Sequence, residues 1–164
     1  MALAVDLGGR RVFVSGYSPG PGSGTDYVTI AYDAATGARL RLSRYDGPVS
    51  GNDYAYDVAV SPDGGKVFVT GSSQGGPAAS RGDYATVAYD AATGAPLWAS
   101  RYSGPGASED IATSLATGAR RWVRRHPGAG IALAVSPVTG TVFVTGVTDR
   151  AASFRDYTTI AYHG

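Results

Sequence analysis

The sequence predicts an all-β protein made of repeated four-stranded units, and three observations predict it. Of the 13 acidic side chains only Glu109 is Glu, and of the 14 basic ones only Lys66 is Lys. Glu and Lys are the usual solvent-facing helix residues, whereas Asp and Gly belong to turns, so helix is disfavoured almost everywhere. The 24 Gly and 11 Tyr, with abundant Val and Thr, suit short strands joined by tight turns. Above all, the chain repeats itself. VFVSG from Val12 returns as VFVTG from Val67, 55 residues on, and again from Val142, a further 75 on. DYVTIAYDAATGARL from Asp26 returns as DYATVAYDAATGAPL from Asp83 and as DYTTIAYHG from Asp156.

The elements follow in a fixed order within one unit, and the second copy shows them most clearly. Tyr56 to Ser61 alternates apolar and polar residues, Pro62-Asp63-Gly64-Gly65 is a turn, and Lys66 to Gly71 is a strand rich in β-branched residues. A Gly/Pro/Ser loop from Ser72 to Gly82, a strand from Tyr84 to Tyr89, a turn from Ala91 to Gly94 and a last strand from Pro96 to Tyr102 complete the unit. A four-stranded meander recurring at about 40 to 55 residues is the pattern of a β-propeller blade, whose sheets pack face to face. Burial on both faces explains why VFVTG is nearly continuously apolar.

The 20 residues by which the second interval exceeds the first contain ATGARRW (Ala116 to Trp122), an echo of ATGAPLW (Ala92 to Trp98). We read them as a unit that begins and ends normally but lacks its middle. The expected organisation is one incomplete ring: a blade over 2–53, a second over 54–106, a degenerate two-strand blade over 107–128, and a blade over 129–164 that stops after its third strand. Thirteen strands are too few for an ordinary ring of about six to eight blades. Either the chain is a fragment of a longer propeller, or two or more chains complete a ring as a homo-oligomer.

From Ala88 the sequence reads A-Y-D-A-A-T-G-A-P-L-W, which resembles the Trp-docking repeat of quinoprotein-like (PQQ-repeat) β-propellers. VAVSPDGGKVFVTG likewise resembles the YVTN-type propeller repeat. In such a motif Ala88, Asp90, Thr93, Gly94 and Trp98 form a structural docking set: Asp90 caps the turn, Gly94 takes the left-handed backbone and Trp98 packs against a neighbouring blade. The first copy has Arg41 in place of the Trp, the degenerate stretch keeps Trp122 but has Ser114 for Asp, and the last copy reaches only Ala161 and His163.

The resemblance does not carry catalysis with it. Quinoprotein dehydrogenases use a stacking Trp, a calcium shell that includes a Glu, a catalytic Asp and often a vicinal Cys pair. This chain has no Cys, and its single Glu109 lies in a Gly/Pro-rich loop. No catalytic or cofactor-binding residue is therefore assigned, and neither PQQ nor calcium is expected as a cofactor. Asp26, Asp83 and Asp156 precede the same strand in three copies; they are the metal candidates if a cation lies along the rim, and loop caps otherwise, and Asp53, Asp57 and Asp110 are similar cases. The arginine run Arg120, Arg121, Arg124 and Arg125 is divided between two faces of a strand, which does not make a nucleic-acid patch. The loop residues Tyr17, Tyr45, Tyr54 and Tyr102 are the candidates for a binding rim, where Tyr is favoured.

At net charge +1 and 43% hydrophobic residues the chain implies no strongly charged partner. Met1 to Arg11 holds no run long enough for a signal peptide or membrane span, while the resemblance points to a periplasmic or secreted location. The functional expectation is a non-enzymatic scaffold or binding module that presents inter-strand loops to a protein, peptide or glycan partner. The alternatives are a remnant quinone- or calcium-dependent oxidoreductase or lactonase-like hydrolase, and a truncated fragment of a longer propeller without independent function.

Overall fold

A computed structural model describes residues 1–22, 24–75 and 82–103 with their side chains, and five further strands between 110 and 163 as backbone. Thirteen strands and no helix occur among the described residues, so none there is long and apolar enough to cross a membrane. The first sheet holds β1 (Ala2–Val5), β2 (Arg11–Pro19), β3 (Thr25–Asp33) and β4 (Arg39–Tyr45), paired antiparallel in that order. The second holds β5 (Asp53–Val60), β6 (Lys66–Gln74), β7 (Gly82–Asp90) and β8 (Pro96–Tyr102) in the same arrangement. Neither sheet closes on itself. The β6–β7 hairpin is longer than its apolar core: the expected loop begins only after Ser72, Ser73 and Gln74 have paired with Tyr84, Asp83 and Gly82.

Short-range chemistry ends the strands identically in both copies. Asp90 Oδ1 accepts the Ala92 and Thr93 N–H groups at 3.0 and 2.7 Å and the Thr93 hydroxyl at 2.8 Å, and Gly94 follows with φ of 74°. Asp33 does the same for Ala35 and Thr36 at 3.1, 2.8 and 2.7 Å, before Gly37 at φ 71°. The threonine hydroxyl first, then the N–H groups, hold both carboxyls below the ordinary aspartate value. Each turn is followed by a bulge. Opposite Ala31 and Tyr32 stand Arg41 and Arg39, and opposite Ala88 and Tyr89 stand Trp98 and Pro96, so Leu40 and Leu97 are the extra residues.

The last third corrects the expected blade count. β9 (Asp110–Ala112), β10 (Ala119–Pro127), β11 (Ala134–Val135), β12 (Val142–Asp149) and β13 (Arg155–His163) form one sheet, ordered β10-β13-β12-β11, with β9 also on β12. The two-strand blade expected over 107–128 is not a sheet of its own, and the blade expected over 129–164 does not lack a fourth strand. β9 and β11 are two halves of one edge strand. Ala112 opposes Gly146 as Ala55 opposes Gly71, and Val135 opposes Val142 as Val60 opposes Val67. The segment between the halves carries β10 to the far edge, where Trp122 faces Ala161 in the register of Trp98 and Ala88. Even the bulge is reproduced, with Arg121 as the extra residue. The unpaired edge of β13 is thereby covered, and its ladder groups are satisfied.

Sheets stack in sequence order. Phe13 and Ala31 of the first sheet pack with Val67, Val69, Val87 and Tyr89 of the second in one buried cluster. Polar contacts cross the same interface. Arg11 donates to the Ala91 and Gly64 carbonyls at 2.7 and 3.3 Å, Tyr27 Oη to Ala85 O at 3.2 Å, and Ser43 Oγ to Gly94 O at 2.8 Å. β9 of the third sheet lies against β6 and β7, as β5 lies against β2 and β3.

Candidate rim site

Polar side chains gather at one end of the strands, where β2 meets β3 and β4 leads into β5. In the first sheet Arg44 Nη1 binds Asp26 Oδ2 at 3.0 Å and the Pro19 carbonyl at 3.2 Å, while Nη2 binds Ser18 Oγ at 3.1 Å. In the second sheet Arg101 Nη2 binds Asp83 Oδ2 at 3.0 Å and the Ser73 carbonyl at 2.8 Å, and Nη1 binds the Ser73 hydroxyl. Each is one device: an arginine from the fourth strand closes the β2–β3 or β6–β7 hairpin by a fork onto the aspartate and serine at its mouth. The third sheet places Arg125 opposite Thr158, the register that Arg44 holds to Val28 and Arg101 to Ala85. The side chains of Arg125 and Asp156 lie outside the described residues.

Between the two forks, oxygens of Asp26, Asp46 and Asp53 come within 4.8 Å of one another. Asp53 is fully buried; its Oδ2 accepts the Gly47 N–H at 2.6 Å, and the Ser73 hydroxyl stands beside the carboxylate. Burial is the largest influence and pushes its carboxyl above the ordinary value, against the pull of Ser73 and Gly47. Asp46 is exposed and accepts the Ser50 hydroxyl at 3.1 Å. Of the rim aspartates with described side chains, Asp26 and Asp53 enter this group and Asp83 does not. Asp83 is held by Arg101.

The four rim tyrosines divide into two kinds. Tyr45 packs on the buried Tyr27 with ring centroids 5.3 Å apart, and Tyr102 on the buried Tyr84 at 5.8 Å, so both are structural supports under the rim. Tyr17 and Tyr54 meet edge to face at 4.9 Å, and Tyr17 is 53% exposed. They come from different sheets, β2 and β5, and form an aromatic step at the junction. In the docking motif Ala88 is fully buried and Trp98 lies over Phe68 of its own sheet at 6.0 Å; Trp122 is placed by register alone.

Sequence reasoning misses Arg44, Arg101 and Asp46. The first two are legible in retrospect as an Arg-Tyr pair 18 residues after the Asp26-Tyr27 and Asp83-Tyr84 pairs. Asp46 carries no such signal, because only the β4–β5 connection brings it beside Asp53 at the mouth of the neighbouring hairpin. The chain matches no family model, no curated protein and no solved structure.

Proposed function

We propose that the chain is a β-propeller-type repeat scaffold of the quinoprotein-like or YVTN-like kind, without catalytic activity, that presents its rim to a protein, peptide or glycan partner. The observation that carries the reading is how the rim is spent. Its arginines, serines and hairpin aspartates are bound to one another and to loop carbonyls in the same way in both complete repeats, which fits a frame better than a reaction centre. What the frame holds out to solvent is the Tyr17–Tyr54 step, two rigid amphipathic rings of the kind that dominate binding surfaces. Face-to-face stacking of successive sheets in one register supports the propeller reading, as does the eleven-residue motif ending at Trp98.

The test is a titration followed by tyrosine and tryptophan emission, with a panel of soluble oligosaccharides and unstructured peptides, on the native chain and on Tyr17→Ala. A ligand whose response is lost in Tyr17→Ala supports the reading. Calcium binding by calorimetry that disappears in Asp46→Asn would instead favour the calcium-dependent enzyme, for which the grouping of Asp26, Asp46 and Asp53 is the observation in favour.

A further inference from the structure

The first sheet has two faces, and only one is covered. Its inner face, with Phe13, Ser15, Thr29 and Ala31, is buried on the second sheet. The opposite face carries Val12, Val14, Ile30 and Tyr32, all partly exposed, flanked by Leu3 at 63%, Val5 at 50% and Leu42 at 47% exposure. The next repeat shows what such a face is for. Val67, Val69, Val87 and Tyr89 hold the equivalent positions of the second sheet and are all 3% exposed or less. Val58, equivalent to Leu3 through its pairing with Val69, is 5% exposed. What buries them is the Phe13, Ser15, Thr29 and Ala31 set of the preceding sheet.

That set recurs in register along the chain. Phe13 opposes Ala31 and Ser15 opposes Thr29; Phe68 opposes Ala88 and Thr70 opposes Thr86; Phe143 opposes Ala161 and Thr145 opposes Thr159. The third sheet therefore carries the complement of the first sheet's open face at the other end of the stack. Backbone acceptors recur too, and the third sheet carries Arg124 in the register of Ser43. The carbonyls of Gly64, Ala91 and Gly94, which receive Arg11 and Ser43 across the internal interface, correspond to those of Gly9, Ala34 and Gly37 beside the open face.

We infer that the Val12, Val14, Ile30 face of the first sheet docks a second copy of this chain, which offers the Phe143, Thr145, Thr159, Ala161 positions of its third sheet, so that copies associate head to tail. The inference rests on the stacked-repeat reading of the fold. The contact is heterologous, the internal sheet-to-sheet interface repeated between chains, and it leads to a closed ring or to an open array. It also removes from water the exposed apolar side chains of Leu3, Val5 and Leu42.

The experiment uses the full chain. Light scattering after size exclusion gives two or more chain masses for the native protein and one for Ile30→Arg, with Leu3→Arg as a second variant at a more exposed position. Both variants keep the native strand circular dichroism. Because the chain has no cysteine, direction is read by cross-linking. A short bismaleimide joins Ile30→Cys to Thr159→Cys chains in a mixture several-fold more than it joins either variant to itself. A native chain that is monomeric at all concentrations, an assembly indifferent to both arginine variants, or equal self-linking of Ile30→Cys overturns the inference. If the native chain is monomeric while truncating Phe13 still destabilises it strongly, the stacked scaffold stands and head-to-tail docking alone fails.

Discussion

Arg41 stands where the docking motif places a tryptophan, and restoring that residue tests whether the motif is a structural staple. Ala31 pairs with Arg41 as Ala88 pairs with Trp98, and Trp98 covers Phe68 with its ring 6.0 Å away. At the first position the ring is missing. A shallow cleft, open to solvent, lies there instead, lined by Phe13, Ala31, Arg41, Tyr89, Asp90 and Gly94. An indole seated in it as Trp98 is seated would remove about 100 Å² more apolar surface from water than the exposed arginine does, or about 2.5 kcal/mol at about 25 cal/mol per Å². Ordering the ring costs about 1 kcal/mol, leaving a gain near 1.5 kcal/mol. For a chain of this size Arg41→Trp should raise Tm by about 3 to 6 °C, read by circular dichroism at 222 and 280 nm. A double-mutant cycle with Phe13→Leu should show a coupling of about 0.5 kcal/mol or more. An unchanged or lower Tm, or a coupling indistinguishable from zero, would refute the view that this position is an unfilled dock.

Phe13→Ala, at the centre of the buried cluster between the first two sheets, should cost about 3 to 5 kcal/mol in urea unfolding, whereas Leu42→Ala on the half-exposed outer face should stay within about 0.5 kcal/mol. Gly37→Ala and Gly94→Ala share a positive φ, but only at Gly94 would the new methyl meet Ser43 Oγ, at 2.9 Å; Gly37→Ala should therefore cost about 1 kcal/mol and Gly94→Ala about 2 kcal/mol or more. Arg101→Lys loses the fork onto Ser73 and Asp83 and should destabilise by about 1 to 3 kcal/mol, although the charge is kept. Asp53 has a folded-state pKa above its unfolded one, so its contribution to stability is fully present below the unfolded value, about 3.9, and is lost as pH rises through the folded value. Asp53→Asn keeps an acceptor for the Gly47 N–H and should raise Tm at pH 7, with the gain shrinking toward pH 3.5; a gain independent of pH would mean that the buried charge is not its source.

The sequence by itself determined the local architecture. Period-two strands, Asp-capped turns ending in Gly37 and Gly94, and the copied strings at Val12, Val67 and Val142 specify the hairpins, because turn chemistry and side-chain alternation act within a few residues. Strand ends were less legible: Ser72 to Gln74 carries no apolar pattern, and only pairing with Gly82 to Tyr84 makes it strand. Tertiary structure alone decided the grouping of the last third. ARRWVRRHP reads as the end of a unit, yet nothing in its own composition says which sheet it joins; the free edge of β13, with ladder groups that must be satisfied, takes it up. It also decided the rim. Tyr17 with Tyr54, and Asp26 with Asp46 and Asp53, come from different sheets, so their meeting depends on how one sheet sits on the next, a relation set by the packing of Phe13 and Ala31 on Val69 and Val87 and written in no single repeat.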